Sequence, residues 1–121
     1  MREIKFKAKR VSDGEWVKGL YSTSTDNGEI THYIGDFNLA TPIDPNTLCQ
    51  FTGLVDKNGV EVYEGDILSD GKGDNGAVRW IEALGGFCVY VDNTLYSLNE
   101  GDPNRSTQLE YTEVIGNIHD K

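Results

Sequence analysis

The residues of this chain that could bind zinc or act as a nucleophile are isolated in sequence. They are two cysteines and two histidines, Cys49, Cys88, His32 and His119. Zinc sites usually draw their ligands from closely spaced pairs, and no such pair occurs here. A cysteine–histidine catalytic pair is formally available, but any chain with two residues of each type offers one. We therefore predict no metal and no cofactor, and we expect both thiols to be small buried residues.

One acidic run shares part of the pattern of a calcium loop. Asp70 and Asp74, in the run SDGKGDNG at 69–76, have the spacing of the first and fifth ligands of an EF-hand loop. Lys72 occupies the third ligand position, and Ile81 stands where the closing glutamate is needed. The glycines of this run also lack the spacing of a phosphate-binding loop. We therefore predict that the run is a solvated turn.

Carboxylates are abundant, but nothing in the sequence selects a catalytic pair among them. The chain has 20 Asp and Glu residues, and most carboxylates of an acidic protein lie on solvated faces or cap turns. Neither a Gly-x-Ser-x-Gly nucleophile motif nor a His-Glu-x-x-His metal-binding motif is present. We name no catalytic residue and expect a protein that is not an enzyme. A carboxylate-dependent hydrolase is the enzymatic alternative.

The charge of the chain is unevenly distributed. The formal net charge is −9, yet residues 1–20 carry six basic and three acidic residues, so this segment is positive. A nucleic-acid-binding surface is one interpretation, because basic groups attract phosphates. The acidity of the remaining chain opposes it, and no aromatic stacking platform is expected among the basic residues. The residues that this alternative would use are Lys5, Lys7, Lys9, Arg10 and Lys18.

The N-terminal segment has the pattern of a β-hairpin. Ile4, Phe6 and Ala8 alternate with lysines, which is the period of a strand with one buried face. The dipeptide Asp13-Gly14 is a common turn former, and residues 16–21 return as a second strand. Residues 22–28 are polar and rich in Ser, Thr, Asp and Asn, so we predict an exposed loop there.

Turn signals divide the rest of the chain into short strands. Asp44-Pro45 predicts a short helical turn with Asp44 as its N-cap. Asn58-Gly59 predicts a type I′ turn, and Gly65 breaks the chain between two strands. Residues 77–81, 86–91, 95–98 and 109–118 are further strand candidates, and 99–107 is a polar loop. No apolar period of 3.6 persists, so the predicted fold is all-β, a small multi-stranded barrel or sandwich with short helical turns at most.

The sequence carries no targeting or membrane segment that we recognise. Its longest apolar run, residues 87–91, has the length of a strand and falls well short of the roughly 18 residues of a membrane span. The N-terminus alternates charged and apolar residues, whereas a signal peptide needs a continuous apolar block. We therefore expect a location in a reducing cytoplasm and no membrane partner.

Residues 43–68, IDPNTLCQFTGLVDKNGVEVYEGDIL, closely resemble the signature of the YopX family. The opening residues 2–8 and the closing residues 114–118 also agree with that family, so the resemblance spans nearly the whole chain. It implies a single YopX-like domain at 1–121 with a mainly β fold. Within that domain we expect the N-terminal hairpin at 1–21 and a barrel-like β core at 48–118. The family consists of small proteins encoded largely by phages and prophages of Gram-positive bacteria, and the resemblance implies no established activity.

The signature segment itself has two interpretations. The segment Glu64-Gly65-Asp66-Ile67 is similar to the entry of an SH3-like barrel, where a carboxylate often caps the turn before a strand. One interpretation of the signature is a folding motif rich in turns. The other is a binding site made of polar groups beside one hairpin, namely Gln50, Thr52, Asp56, Tyr63, Glu64 and Asp66.

We expect the function to be a phage accessory role in which the protein binds another protein or itself. Short strands with unpaired edges favour pairing with a further strand or with a second copy, so a homo-oligomer is expected. An acidic surface suits a basic protein partner. The alternatives are a small nucleic-acid-binding barrel that uses the basic hairpin and the carboxylate-dependent hydrolase.

Overall fold

The structure is a computed structural model, and it describes residues 5–35, 40–71, 73, 75–84, 86–91, 94–97 and 112–120. Within these ranges the chain forms β-strands and two short 3-10 turns, and it has no α-helix. The fold is therefore all-β, as the sequence predicted. The chain divides into two compact units, Met1–Phe51 and Thr52–Lys121. The predictions of a single domain and of an SH3-like element stay predictions.

The strands of the first unit are β1 (Phe6–Lys9), β2 (Trp16–Gly19), β3 (Tyr21–Asp26), β4 (Glu29–Gly35), β5 (Ala40–Pro42) and the first part of β6 (Cys49–Val55), with the 3-10 turn η1 (Pro45–Thr47) before β6. The second unit holds the rest of β6, then β7 (Glu61–Tyr63), β8 (Asp66–Ser69), β9 (Asn75–Ile81), the 3-10 turn η2 (Glu82–Leu84), β10 (Gly86–Val91), β11 (Thr94–Ser97) and β12 (Glu113–Asn117).

The predicted N-terminal hairpin is confirmed. Strands β1 and β2 pair antiparallel with Lys9 opposite Trp16, and the other edge of β1 pairs with the start of β6. The period-two alternation places Ala8 in the first core cluster with Ile34 and Ile43, against which Phe6 and other half-buried side chains pack. Full burial of a large apolar side chain such as Ile34 or Ile43 stabilises the folded state by roughly 1.5–3 kcal/mol. These contacts hold the hairpin on its unit.

The prediction of a loop at residues 22–28 is wrong. These residues form most of β3 and the turn after it, and β3 pairs with β4 over its full length. Asn27 (φ 51°) and Gly28 (φ 82°) both adopt positive φ, so they form the two-residue type I′ turn that matches the twist of a hairpin. The polar composition suggested a loop, but alternating serine and threonine also suit a strand whose two faces are both exposed.

The turn predicted at Asn58-Gly59 is present, but the predicted type I′ geometry is wrong. Asn27 is the one residue other than glycine that has positive φ in the described ranges, so Asn58 is not left-handed. Gly59 N–H donates to the Asp56 carbonyl (3.0 Å) and Asp56 N–H donates to the Val60 carbonyl (2.8 Å), which closes a three-residue connection. Here the Asp56 carboxylate also accepts from Asn58 N–H and favours a right-handed turn, with the positive φ confined to Gly59.

The predicted helical turn at Asp44-Pro45 is confirmed as η1. Asp44 Oδ1 accepts from Asn46 N–H at 3.0 Å, and Pro45 occupies the first position, where a missing N–H costs no hydrogen bond. Thr47 at the end of the turn is buried, and its hydroxyl oxygen accepts from Lys9 N–H at 2.8 Å. The turn is thereby fixed to β1.

The sheet of the second unit has the strand order β11-β10-β9-β8-β12, all antiparallel. The turn predicted at 69–76 is shorter than expected, because Ser69 and Asn75 are already paired strand residues; positions 72 and 74 lie outside the described residues. The predicted strands at 77–81 and 86–91 are confirmed within β9 and β10, whereas the predicted loop at 99–107 lies outside the described residues. The core cluster of this unit contains Val62, Leu68, Val78, Phe87 and Val89.

Candidate functional site

The six polar residues predicted as a binding site are divided between the two units. Gln50 belongs to the first unit, where it is half-buried and lies opposite Phe6 in the β1–β6 pair. The other five residues belong to the second unit, on or beside strands β6 to β8: Thr52, Asp56, Tyr63, Glu64 and Asp66. Their hydrogen bonds decide what the signature does.

Asp56 is buried, and both of its carboxylate oxygens accept backbone hydrogen bonds. Oδ1 accepts from Asn58 N–H (2.8 Å) and Val60 N–H (2.9 Å), while Oδ2 accepts from Val114 N–H (2.9 Å) in β12. Burial by itself would raise the pKa of the Asp56 carboxyl. The three backbone N–H groups outweigh that effect and hold the pKa below its usual range, so the charged form is favoured.

Asp66 is fully buried at the start of β8 and joins two other segments. Its Oδ2 accepts from Tyr63 N–H at 2.7 Å, which caps the turn at Glu64-Gly65. Its Oδ1 accepts from the side-chain amide of Asn117 at 2.9 Å, across 51 residues of sequence. Asn117 is itself buried, and its amide oxygen accepts from His119 N–H. The carboxylate therefore connects β8 to the end of β12.

Thr52 and Tyr63 are buried as well. The Thr52 hydroxyl donates to the Val62 carbonyl at 2.8 Å and accepts from Leu54 N–H at 3.1 Å. The Tyr63 hydroxyl donates to Glu61 Oε1 at 3.1 Å. Glu64 is half-buried in the turn between β7 and β8. These contacts connect the signature strands to one another.

The signature segment contacts β12 and its flanking residues through both backbone and side-chain hydrogen bonds. Strand β8 pairs antiparallel with β12. Besides the Asp56 and Asp66 contacts, Lys57 N–H donates to the Thr112 carbonyl, Asn58 Nδ2 donates to Glu113 Oε2, and Ile118 N–H donates to the Gly65 carbonyl. Residues 43–68 and 114–118 both resemble the same family, but contact between them could not be predicted from that resemblance. Asn117, whose side-chain amide donates to Asp66, was not among the predicted site residues.

The predicted basic surface contains an aromatic residue that the sequence analysis did not expect there. The ammonium groups of Lys7 and Lys9 lie 4.8 Å and 5.5 Å from the centre of the Trp16 ring. Lys5 lies 4.9 Å from the centre of the Phe51 ring. The remaining two predicted residues are Arg10 and Lys18, and Lys18 lies opposite Lys7 on the exposed side of β2.

Arg10 is engaged within its own turn. Its Nε and Nη2 donate to the two carboxylate oxygens of Asp13 at 3.0 Å and 2.7 Å. The hydrogen bond from Arg10 is the largest cause that holds the pKa of Asp13 below its usual value. Its guanidinium is thus committed to an ion pair in the hairpin turn.

The described histidine and cysteine side chains do not converge on a metal site. Across the described ranges, no group of three or more His, Cys, Asp or Glu side chains is placed to hold a metal ion. Both thiols are buried, as predicted. His32 stacks on Tyr21 with the ring planes 9° apart, and its Nδ1 lies 2.6 Å from the Tyr21 hydroxyl.

Strands β3 and β4 form an exposed ribbon in the first unit. Every residue from 22 to 31 is exposed, including Ile30 with 60% of its surface accessible. In the described part of the sheet, β3 pairs with β4 alone and is an edge strand. This ribbon was not predicted, although the alternating Ser-Thr-Ser-Thr pattern before Asn27-Gly28 is a hairpin signal.

None of the helical segments in the described residues is long and apolar enough to cross a membrane.

These features define an all-β protein whose signature segment fixes its last described strand and whose first unit presents a strand edge. The chain belongs to the YopX family: the family model described as YopX protein matches residues 3–121, which is nearly the whole chain. Among curated proteins, none matches this sequence.

Proposed function

We propose that this chain is a non-enzymatic protein-binding module that accepts an extended strand at the open edge of β3. We further propose that it is a phage or prophage accessory protein that works in the cytoplasm of the bacterial host. The single observation that carries the proposal is the β3–β4 ribbon, which is exposed on both faces along residues 22–31. An isolated two-stranded ribbon is marginally stable in water, and pairing with another strand would stabilise it.

The composition of the β3 edge supports this proposal. Natural proteins commonly protect an edge strand with lysine, proline or a bulge, and residues 21–26 (YSTSTD) contain no lysine or proline. The β3–β4 register runs without a bulge from Tyr21 opposite Ile34 to Asp26 opposite Glu29. A regular edge of this kind presents evenly spaced backbone donors and acceptors to a further strand.

The contacts of the signature segment support a role other than catalysis. Asp56 and Asp66 are both buried and accept hydrogen bonds from the chain itself, the former from three backbone N–H groups. A catalytic carboxylate needs access to substrate within hydrogen-bond reach. The folding-motif interpretation of the signature therefore has more support than the hydrolase alternative.

Nucleic-acid binding is the second candidate, and the contacts around Trp16 favour it. Lysines beside an exposed aromatic ring suit single-stranded nucleic acids, because bases stack and phosphates pair with ammonium groups. Trp16 is half-buried, and its ring lies near the ammonium groups of Lys7 and Lys9. The net charge of −9 opposes this candidate, so we rank it below protein binding.

In-cell photo-crosslinking at the ribbon tests the proposal. A photoreactive residue replaces Ser22, which lies on β3 and is exposed. We expect adducts with polypeptide, and we expect them to disappear when the same chain carries Thr23→Pro, because proline removes a backbone donor and obstructs the edge. A chain with the photoreactive residue at Val11, also exposed, serves as the matched control. Equal labelling at both positions, or no adduct at position 22, would overturn the proposal.

A further inference from the structure

We propose that the strand received at the β3 edge is β3 of a second copy of this chain, paired antiparallel about a two-fold axis at Thr23. The two ribbons would then form a continuous four-stranded sheet in the order β4-β3-β3-β4. This inference rests on the proposed function, since it names the partner of the same edge.

The hydrogen bonds of the flanking strands establish which backbone groups of β3 face outward. Gly35 N–H donates to the Leu20 carbonyl at 3.0 Å, so this pair, which continues the β3–β4 register, is hydrogen-bonded. In an antiparallel pair such bonding recurs at every second residue. Ile43 N–H donates to the His32 carbonyl, so even-numbered residues of β4 face β5 and odd-numbered ones face β3.

It follows that the even-numbered residues of β3 bond to β4 and the odd-numbered residues face the open edge. The backbone N–H and C=O groups of Tyr21, Thr23 and Thr25 therefore point away from the ribbon. These three residues supply a row of three donors and three acceptors, spaced two residues apart. The row is symmetric about Thr23.

One antiparallel register uses all of these groups. Placing Thr23 opposite Thr23 of the second copy also places Tyr21 opposite Thr25, and Thr25 opposite Tyr21. Each of these hydrogen-bonded pairs exchanges two bonds, so all the outward donors and acceptors from Tyr21 to Thr25 are paired. A shift of two residues in either direction leaves one end of the row unpaired. The symmetric register therefore makes the most backbone hydrogen bonds.

The side chains also fit this register. The pairs across the axis are Ser22 with Ser24, Thr23 with Thr23 and Tyr21 with Thr25, so hydroxyl groups lie opposite hydroxyl groups and no two like charges are opposed. Asp26, the charged residue of β3, lies beyond the paired segment. Within the ribbon, Thr25 is opposite the exposed Ile30, and Tyr21 is opposite Ile34. Because Thr25 would lie opposite Tyr21 of the second copy, the four-stranded sheet would carry a continuous row of Ile30, Thr25, Tyr21 and Ile34, the last two from the second copy.

A sheet joined through one short edge is a small interface. Specific stable interfaces bury about 1,200–2,000 Å², and pairing of a single strand falls near or below the lower end of that range. We therefore expect a dimer with a dissociation constant between about 1 µM and about 1 mM. Such a dimer forms at high local concentration and exchanges readily.

Sedimentation equilibrium of the purified full chain tests the pairing. The wild-type chain is expected to dimerise reversibly. Thr23→Pro removes one backbone donor from each copy, so the dimer loses roughly two hydrogen bonds, and we expect the dissociation constant to rise at least tenfold. Thr23→Lys places two ammonium groups opposite each other, and we expect it to raise the dissociation constant about fivefold or more. Thr31→Lys, with the same charge change at an exposed position of β4, is the matched control and is expected to dimerise like the wild type.

A charge exchange and a disulfide test the register. Thr23→Lys and Thr23→Glu chains are each expected to be weaker dimers alone but to pair with each other when mixed, because opposite charges then face across the axis. A Thr23→Cys chain is expected to form an intermolecular disulfide under mild oxidation, since hydrogen-bonded partners have Cα atoms about 5.5 Å apart. Thr25→Cys is expected not to, because the two residues at position 25 are well separated.

The outcomes separate this inference from the proposed function. A chain that stays monomeric to about 1 mM, or a Thr25→Cys disulfide that forms as fast as the Thr23→Cys one, would overturn self-pairing in this register. Adducts at position 22 with a different protein alone would also overturn self-pairing while leaving the β3 edge as a protein-binding site. Absence of any edge-dependent adduct would remove the proposed function.

Discussion

At the scale of single residues, the buried carboxylates of the signature act as acceptors for the backbone. A polar side chain taken out of water loses its hydration, and hydrogen bonds within the fold must replace it. Asp56 accepts hydrogen bonds from three backbone N–H groups, and the most distant of these donors in sequence is Val114, 58 residues away. Asp66 receives one backbone N–H group and the Asn117 amide. Each carboxylate therefore stabilises contacts between segments distant in sequence.

Replacing Asp56 by asparagine is expected to lower the free energy of unfolding by roughly 2–3 kcal/mol at neutral pH, because an amide donor would face one of the three N–H groups. The pKa of Asp56 is lowered in the folded chain. Its contribution is therefore complete above the unfolded pKa of about 3.9 and is lost as the pH falls through the lower folded pKa. The difference between wild type and Asp56→Asn should shrink in acid, as measured by urea denaturation from pH 7 downwards.

The control for this prediction is Glu29→Gln at the exposed tip of the ribbon. It removes one carboxylate without removing an acceptor in the core, so we expect a change within about 0.5 kcal/mol at every pH. If the Asp56→Asn difference stayed constant or grew as the pH fell, the stabilising role of the ionised carboxylate would be contradicted.

Two glycines with nearly the same φ are expected to respond differently to alanine. Gly59 (φ 82°) has open space where a Cβ would lie, so alanine there adds only the left-handed strain of roughly 1–2 kcal/mol. At Gly65 (φ 84°) a Cβ would also lie 3.3 Å from Asn117 Nδ2 and from Ile118 Cγ1. Gly65→Ala is therefore expected to cost roughly 1 kcal/mol more than Gly59→Ala in denaturant unfolding. Equal losses would show that this contact does not constrain the turn.

At the scale of elements, the two Asn-Gly sequences show how neighbouring residues select a turn. Asn27-Gly28 joins β3 to β4. The last paired residues of these strands are Asp26 and Glu29, so the connection between them has two residues. Asn58-Gly59 follows Asp56, whose carboxylate bonds to Asn58 N–H and to Val60 N–H and thereby stabilises a longer connection. The same dipeptide produces a type I′ turn in one hairpin and a three-residue connection in the other.

The alternation of hydrogen bonds along β3 predicts an alternation of amide exchange. In dilute solution, the N–H groups of Ser22 and Ser24, which face β4, are expected to exchange at least roughly tenfold more slowly than those of Thr23 and Thr25. Residue-resolved hydrogen exchange by nuclear magnetic resonance measures this ratio. Thr23 and Thr25 are expected to gain protection as the concentration is raised. Uniform exchange along β3 would contradict the assigned backbone directions.

At the scale of the whole molecule, the acidic total charge argues against a nucleic-acid role, although the N-terminal segment is positive. Lys7 and Lys9 lie near the ring of Trp16, and Arg10 is paired with Asp13. Contact with an aromatic ring leaves the charge of an ammonium group intact but favours its present position. The total charge of −9 repels a phosphate backbone at longer range.

We therefore expect no binding of single-stranded or double-stranded oligonucleotides in fluorescence anisotropy, even at low salt. Charge reversal at Lys7 and Lys9 should leave the signal unchanged. Binding that weakens steeply with salt, and that these substitutions abolish, would instead establish the nucleic-acid candidate, because counterion release makes such binding dependent on salt.

Much of the local structure could be predicted from the sequence, because the signals involve neighbouring residues. The alternation around Phe6 and Ala8 predicted β1, and Asp44-Pro45 predicted η1 with its cap. The loop predicted at 22–28 was wrong because polarity reports exposure, and an exposed strand is as polar as a loop. The site could not be predicted, because Asn117 lies 51 residues from its partner Asp66.

The sequence by itself determined the all-β class, the family and the positions of most turns, since strand period, turn chemistry and signature residues are all local properties. The tertiary structure decided that Asp56 and Asp66 bond to β12, and that β3 is an edge with outward-facing groups at its odd-numbered residues. Both outcomes depend on which distant strands pair. That choice is set by the packing of the folded chain, and adjacent residues do not encode it.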